Sequence, residues 1–122
     1  MFKPLLRSLV FIIIATSLFA QEQYHYQTDF PPEEFAARRA QVYEKIGNQA
    51  LAIIQGAPGV DGFKIFRQSN EFYYLCGLET SHAYLLLDGR SRKATLYLPH
   101  RDEGRERGEG KVLCAEDVEL VK

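Results

Sequence analysis

Two five-residue apolar runs, 50–54 (Ala-Leu-Ala-Ile-Ile) and 83–87 (Ala-Tyr-Leu-Leu-Leu), set the terms on which this chain can fold. Each is too short for a typical helix and too continuous for a strand with one wet face. Both therefore read as strands covered on both sides. Gly56-Ala57-Pro58-Gly59 ends the first, and Asp88-Gly89-Arg90-Ser91-Arg92 follows the second with the composition of a turn. Ala94, Leu96 and Leu98 then alternate with Thr95 and Tyr97, which predicts a strand returning antiparallel and stopping at Pro99.

Helical periods lie between these runs. Phe35, Val42 and Ile46 share one stripe, flanked by Ala36 and Tyr43. Pro31, Pro32, Glu33 and Glu34 suit a first turn, where proline removes no needed donor and acids face the positive helix end. Thr28 or Asp29 is expected to cap this helix and Gly47-Asn48 to stop it, with Arg38, Arg39, Glu44 and Lys45 on its wetter sides. Residues 63–66 alternate and predict a short strand. A brief helix follows, capped by Ser69 or Asn70 and closed by Gly77.

Residues 100–111 hold four basic and four acidic side chains and three glycines. They read as a loop whose charges cancel. Val112-Leu113 suits a short strand, and residues 115–121 begin a helical pattern. The chain ends about two turns into it, and so short a helix does not hold itself in water. The expectation is a domain incomplete at its C-terminal end.

The first twenty residues stand apart. Lys3 and Arg7 precede an apolar core, and residues 8–20 carry no charge. That run falls short of the roughly 20 residues a bilayer-spanning helix needs. It predicts a signal peptide over 1–20, cleaved after Ala20 or else near Ala15-Thr16-Ser17, with an uncleaved anchor as the competing reading. Residues 21–122 would then be a periplasmic or secreted domain with no membrane contact. Losing Lys3 and Arg7 takes the formal charge from −1 to −3. Nothing in that balance offers the concentrated basic surface that nucleic acid needs. Cys76 and Cys114 are too few for a disulfide framework. They are expected as unpaired, packed thiols, with a disulfide in an exported protein as the alternative. His25, His82 and His100 lack ligand spacing, and the last two read as solvated or capping imidazoles.

The most specific stretch is 66–77, which contains Arg67-Gln68, then Phe72, Tyr74-Leu75 and Gly77. It reads RQ-x-x-x-F-x-Y-L-x-G. Glu79 and the apolar strand follow, then Leu96-Tyr97-Leu98-Pro99 and Arg101-Asp102, with Glu106 completing RD-x-x-x-E. In this order the pieces resemble the N-terminal domain of Xaa-Pro aminopeptidases, the aminopeptidase P branch of the creatinase/prolidase superfamily. The resemblance implies an α/β fold with a ribonuclease-H-like mixed sheet flanked by helices, of which this chain would be the front part. It also implies a following pita-bread catalytic domain in the complete enzyme. There, two Asp, one His and two Glu would hold two manganese ions for hydrolysis of the bond before proline.

No catalytic residue, metal ligand or cofactor is assigned to residues 21–122. Arg67, Tyr73, Arg101, Asp102 and Glu106 are expected as interdomain or substrate-side contacts. For the first motif the competing reading is a strand-to-helix corner with Phe72, Tyr74 and Leu75 in the core. For the second it is a solvated loop with weak exposed ion pairs. Many bacterial members carry tryptophan two residues after the glutamate of RD-x-x-x-E; here Gly108 stands there. The partners implied are the protein's own catalytic domain, further copies in an oligomer, and a proline-containing peptide. The alternative is a stand-alone exported module that binds a peptide or partner. A further reading places the chain in the creatinase or prolidase branches.

Overall fold

The computed structural model describes residues 27–60 and 64–120. The signal-peptide reading and Phe63 lie outside the described residues. Helix α1 spans Pro32–Ile46, strand β1 Leu51–Gln55 and helix α2 Asn70–Cys76. Strands β2, Tyr84–Asp88, and β3, Lys93–Tyr97, form a hairpin. Helix α3, Glu103–Glu109, and a 3-10 segment, Ala115–Leu120, complete the order. The strands form one sheet in the order β1-β2-β3, and both pairings are antiparallel.

The register separates the two faces of the sheet. Ala52 lies opposite Leu87 and Ile54 opposite Leu85, while Leu85 also faces Leu96. Cross-strand partners share a face. This face packs with Phe72, Leu75, Leu78, Tyr43 and Leu113 into the core. Phe72 and Leu87 are fully buried; each such side chain contributes about 1.5–3 kcal/mol relative to exposure. The Tyr43 hydroxyl is buried there without a hydrogen-bond partner among the described residues.

The other face carries Leu51, Ile53, Tyr84, Leu86 and Tyr97. Leu51 is 61% and Ile53 69% exposed. The expectation that residues 50–54 form a strand covered on both faces is therefore corrected. An unbroken apolar run does not say how many layers cover it, and among the described residues helices pack on one side only.

Other expectations also change. Helix α1 has no side-chain cap; Pro31 occupies the cap position, and the Glu34 amide donates to the Pro31 carbonyl. Arg38 and Arg39 are half-buried rather than on the wet side. They lie three and four residues after Phe35, on the inward stripe. There they donate to the carbonyl oxygens of Tyr74 and Leu75, at 3.1 and 2.8 Å, which the last turn of α2 leaves open. The Arg38 guanidinium also lies 4.5–5.0 Å from the ring centres of Phe30, Phe35 and Tyr74. Tyr74 is consequently half-exposed rather than a core residue.

Residues 64–66 and Val112-Leu113 are irregular, not strands. The charged stretch forms α3 instead of a loop, because the Asp102 carboxylate accepts the amides of Gly104 and Arg105 and starts it. Gly47, at φ +70°, ends α1 as expected.

Gly89 marks the tightest backbone approach. A Cβ there would collide with the Gly47 carbonyl oxygen and sit 2.8 Å from that of Ala50. The turn of the hairpin is thereby pressed against the end of α1. Gly89→Ala should cost about 3 kcal/mol in urea denaturation, because two backbone segments must move. Gly108→Ala, with open space around it in α3, should instead add about 0.5–1 kcal/mol.

Candidate functional site

The two motifs fold into two different corners. In the first, Gln68 is the organising side chain. Its Oε1 accepts the amides of Ala57 and Ser69, and its Nε2 donates to the Thr80 carbonyl at 2.8 Å. The Ser69 hydroxyl donates to the Gln55 carbonyl instead of capping α2. The Gly56 amide donates to the Ala83 carbonyl, and the His82 amide to that of Ala57. His82 Nε2 accepts from the Gly59 amide. Three chain segments are thus joined where β1 ends, α2 begins and β2 approaches. Arg67 projects from this corner, exposed and with no hydrogen bond or ion pair among the described residues. Tyr73 is half-buried in α2, and burial, then the charges of Glu79 and Asp29, pushes its hydroxyl pKa up.

The second corner gathers Arg101, Asp102 and Glu106 with residues from the 3-10 segment. The Arg101 guanidinium reaches Asp117 at 2.5 Å and Glu106 at 3.6 Å. The Arg101 amide donates to Glu116 Oε2, and His100 Nδ1 lies 3.1 Å from Glu116 Oε1. Both the amide and the thiol of Cys114 donate to Asp117 Oδ2. Glu106 Oε1 accepts the Val112 amide. Asp102 is taken up in starting α3. The His100 interaction, followed by backbone donors, holds the Glu116 carboxyl down to about 2. The Cys114 hydrogen bond is the largest influence lowering Asp117.

In the second corner the thiol–carboxylate contact of Cys114 with Asp117 involves a buried thiol, and the Thr80 hydroxyl, donating to the Leu113 carbonyl, links the two corners. A recess of about 300 Å³ lined by Asn48, Gln49, Leu51, Asp88 and Arg90 lies elsewhere. Its carboxylate, Asp88, already accepts from the Arg90 amide and the Ser91 hydroxyl. A dinuclear metal centre does not fit the residues present. Among the described residues no three His, Cys, Asp or Glu side chains are arranged to hold a metal ion, and Asp88, Asp102 and Asp117 each serve a local turn or cap.

Sequence reading missed what Gln68, Glu116 and Asp117 do. Arg101 and Asp117 are sixteen residues apart, so no local spacing announces the pair. For Gln68 the motif itself was the signal, without its meaning.

Both thiols are free, Cys76 half-buried and Cys114 buried. Burial pushes each up to about 11; for Cys114 the neighbouring Asp117 adds to the effect. At pH 8 each should react with iodoacetamide about a hundredfold more slowly than free cysteine, as followed by intact-mass spectrometry. Rates within a few-fold of free cysteine would contradict the packing described.

Residues 35–120 match the family described as aminopeptidase P, N-terminal domain. A probable Xaa-Pro aminopeptidase of Aspergillus clavatus is 35% identical over 93 residues, covering 71% of this chain and 18% of that protein. Another from Fusarium vanettenii is 50% identical over 42 residues, covering 34% of this chain and 9% of that protein. The chain thus spans less than a fifth of the length of these curated relatives. Proline aminopeptidase P II from Yersinia pestis superposes with TM-score 0.62 at 29% identity, covering 71% of this chain and 22% of that one. Aminopeptidase P from Escherichia coli with the inhibitor Pro-Leu does so with TM-score 0.63 at 25% identity, covering 78% and 24%. With the Arg67-Gln68 and Arg101-Asp102 corners inside the matched span, the chain belongs to the aminopeptidase P N-terminal domain family.

Proposed function

We propose that residues 21–122 are the exported, non-catalytic front part of a Xaa-Pro aminopeptidase. They would supply contacts, while cleavage before proline would take place in a catalytic domain elsewhere in the longer protein, with two manganese ions. Family membership supports the parent activity. The pattern of residues 1–20 supports export through a signal peptide.

The observation that carries the supporting role is the uncovered outer face of the sheet. Leu51, Ile53, Tyr84, Leu86 and Tyr97 form a side with no charge at its centre, and a single-sheet domain rarely leaves such a patch to water. More polypeptide is its natural cover. Of the expected contact residues, Arg67 is exposed and without a hydrogen bond or ion pair among the described residues, while Arg101, Asp102 and Glu106 are engaged at their own corner. Tyr73 offers a half-buried ring beside the first corner. A stand-alone binding module would need the same uncovered face, and the chemistry of its partner would then have to be apolar.

The full chain incubated with Mn²⁺ and a Xaa-Pro peptide should release no N-terminal residue above the level of buffer alone. Turnover abolished by a chelator would overturn the proposal. Ile53→Lys should change this chain's stability by less than about 0.5 kcal/mol, since Ile53 is largely exposed. In a longer protein carrying the catalytic domain it should cost about 2 kcal/mol or more. Equal effects in the two settings would mean that nothing covers that face.

A further inference from the structure

Residues 112–120 are attached to the rest of the fold largely through charged side chains. The core joining α1, α2 and the sheet is apolar. This last segment contributes Leu113 and Cys114 to the interior, and the Thr80 hydroxyl donates to the Leu113 carbonyl. Most of its remaining attachment runs through carboxylates. Glu106 accepts the Val112 amide and Glu116 accepts the Arg101 amide, while within the segment Asp117 accepts the Cys114 amide and thiol. Arg101 spans Glu106 and Asp117, and His100 meets Glu116. One backbone bond, from the Ala115 amide to the Pro99 carbonyl, crosses between the segment and the chain leaving β3.

We propose that residues 112–120 are an acid-releasable strap, held down by Glu106, Glu116 and Asp117 and freed as a unit while the sheet stays folded. Protonating these carboxyls removes the charge that Arg101 grips and weakens their acceptance of the Val112, Cys114 and Arg101 amides. The groups facing the cluster are His100 and Arg101 from the chain after β3, Glu106 from α3, and Cys114, Glu116 and Asp117 from the strap itself.

The sign follows from the two carboxyls held below their ordinary values, Glu116 at about 2 and Asp117 in the same direction. Such groups stabilise above the unfolded-state value, and the contribution disappears as pH falls through the folded one. The window thus opens near the ordinary glutamate value of 4.5 and runs down toward about 2. Release detaches the segment locally, because the cluster around Phe72, Leu75, Leu85 and Leu87 contains no carboxylate or histidine.

Amide hydrogen exchange on the full chain between pH 6.5 and 2.5, corrected for intrinsic rates, tests this. The expected result is a loss of protection of at least about tenfold at Arg101, Val112, Cys114 and Ala115 together, with Leu85 and Leu87 unchanged. Ala115 is decisive, since its acceptor is a carbonyl that does not titrate. Retained protection at Ala115 while the other three are lost would mean side-chain rearrangement only, and would overturn the strap. So would loss at Leu85 and Leu87 in step with the rest, which is global unfolding, or no loss anywhere. Asp117→Asn should lower Ala115 protection already at pH 6.5. Should that variant fail to fold, Glu116→Gln gives the same readout, and the pH series on the unaltered chain stands by itself.

Discussion

The Gln68 carboxamide is the constraint on which the rest of the molecule rests. Its two ends satisfy two amides and a carbonyl drawn from three separate segments. Buried backbone groups that lose such a partner carry the full cost of leaving water. Replacing Gln68 would therefore leave several groups stranded at once. Gly56 lets this happen: a Cβ there would sit 3.1–3.3 Å from the Ala83 carbonyl oxygen and the Gln68 amide. With the corner fixed, β1 lies beside β2, α2 starts beneath them, and Phe72 enters the core at the right depth.

Much of the architecture was legible in the chain because it depends on neighbours in sequence. The hairpin over β2 and β3 and the ends of α1 and α2 at Gly47 and Gly77 follow from local rules. What remained hidden depends on residues distant in sequence. The apolar run at 50–54 could not reveal that one of its faces, with Leu51 and Ile53, is largely exposed. Arg38 and Arg39 looked like solvent charges, although their carbonyl partners lie thirty-six residues away. Residues 100–111 were read as a loop on glycine content, while Asp102 was in position to begin a helix.

The candidate site divides in the same manner. Each motif folds into its own braced corner, but the residues that brace them, Gln68 in one and Asp117 in the other, could not be weighted from spacing. Arg101 and Glu106 carry charges that bind the chain to itself before anything else. Arg67 differs: it is exposed beside the braced corner, with no hydrogen bond or ion pair among the described residues.

Gln27 sets a limit on how much of the front of this protein can be removed. Its amide donates to the Gly77 carbonyl, and its side chain brackets the backbone of Phe30, donating to the carbonyl and accepting from the amide. Phe30 in turn borders the Arg38 guanidinium that fastens α1 to α2. An exopeptidase that advanced through that glutamine would unbutton the aromatic clasp, and the two helices would lose their shared pin.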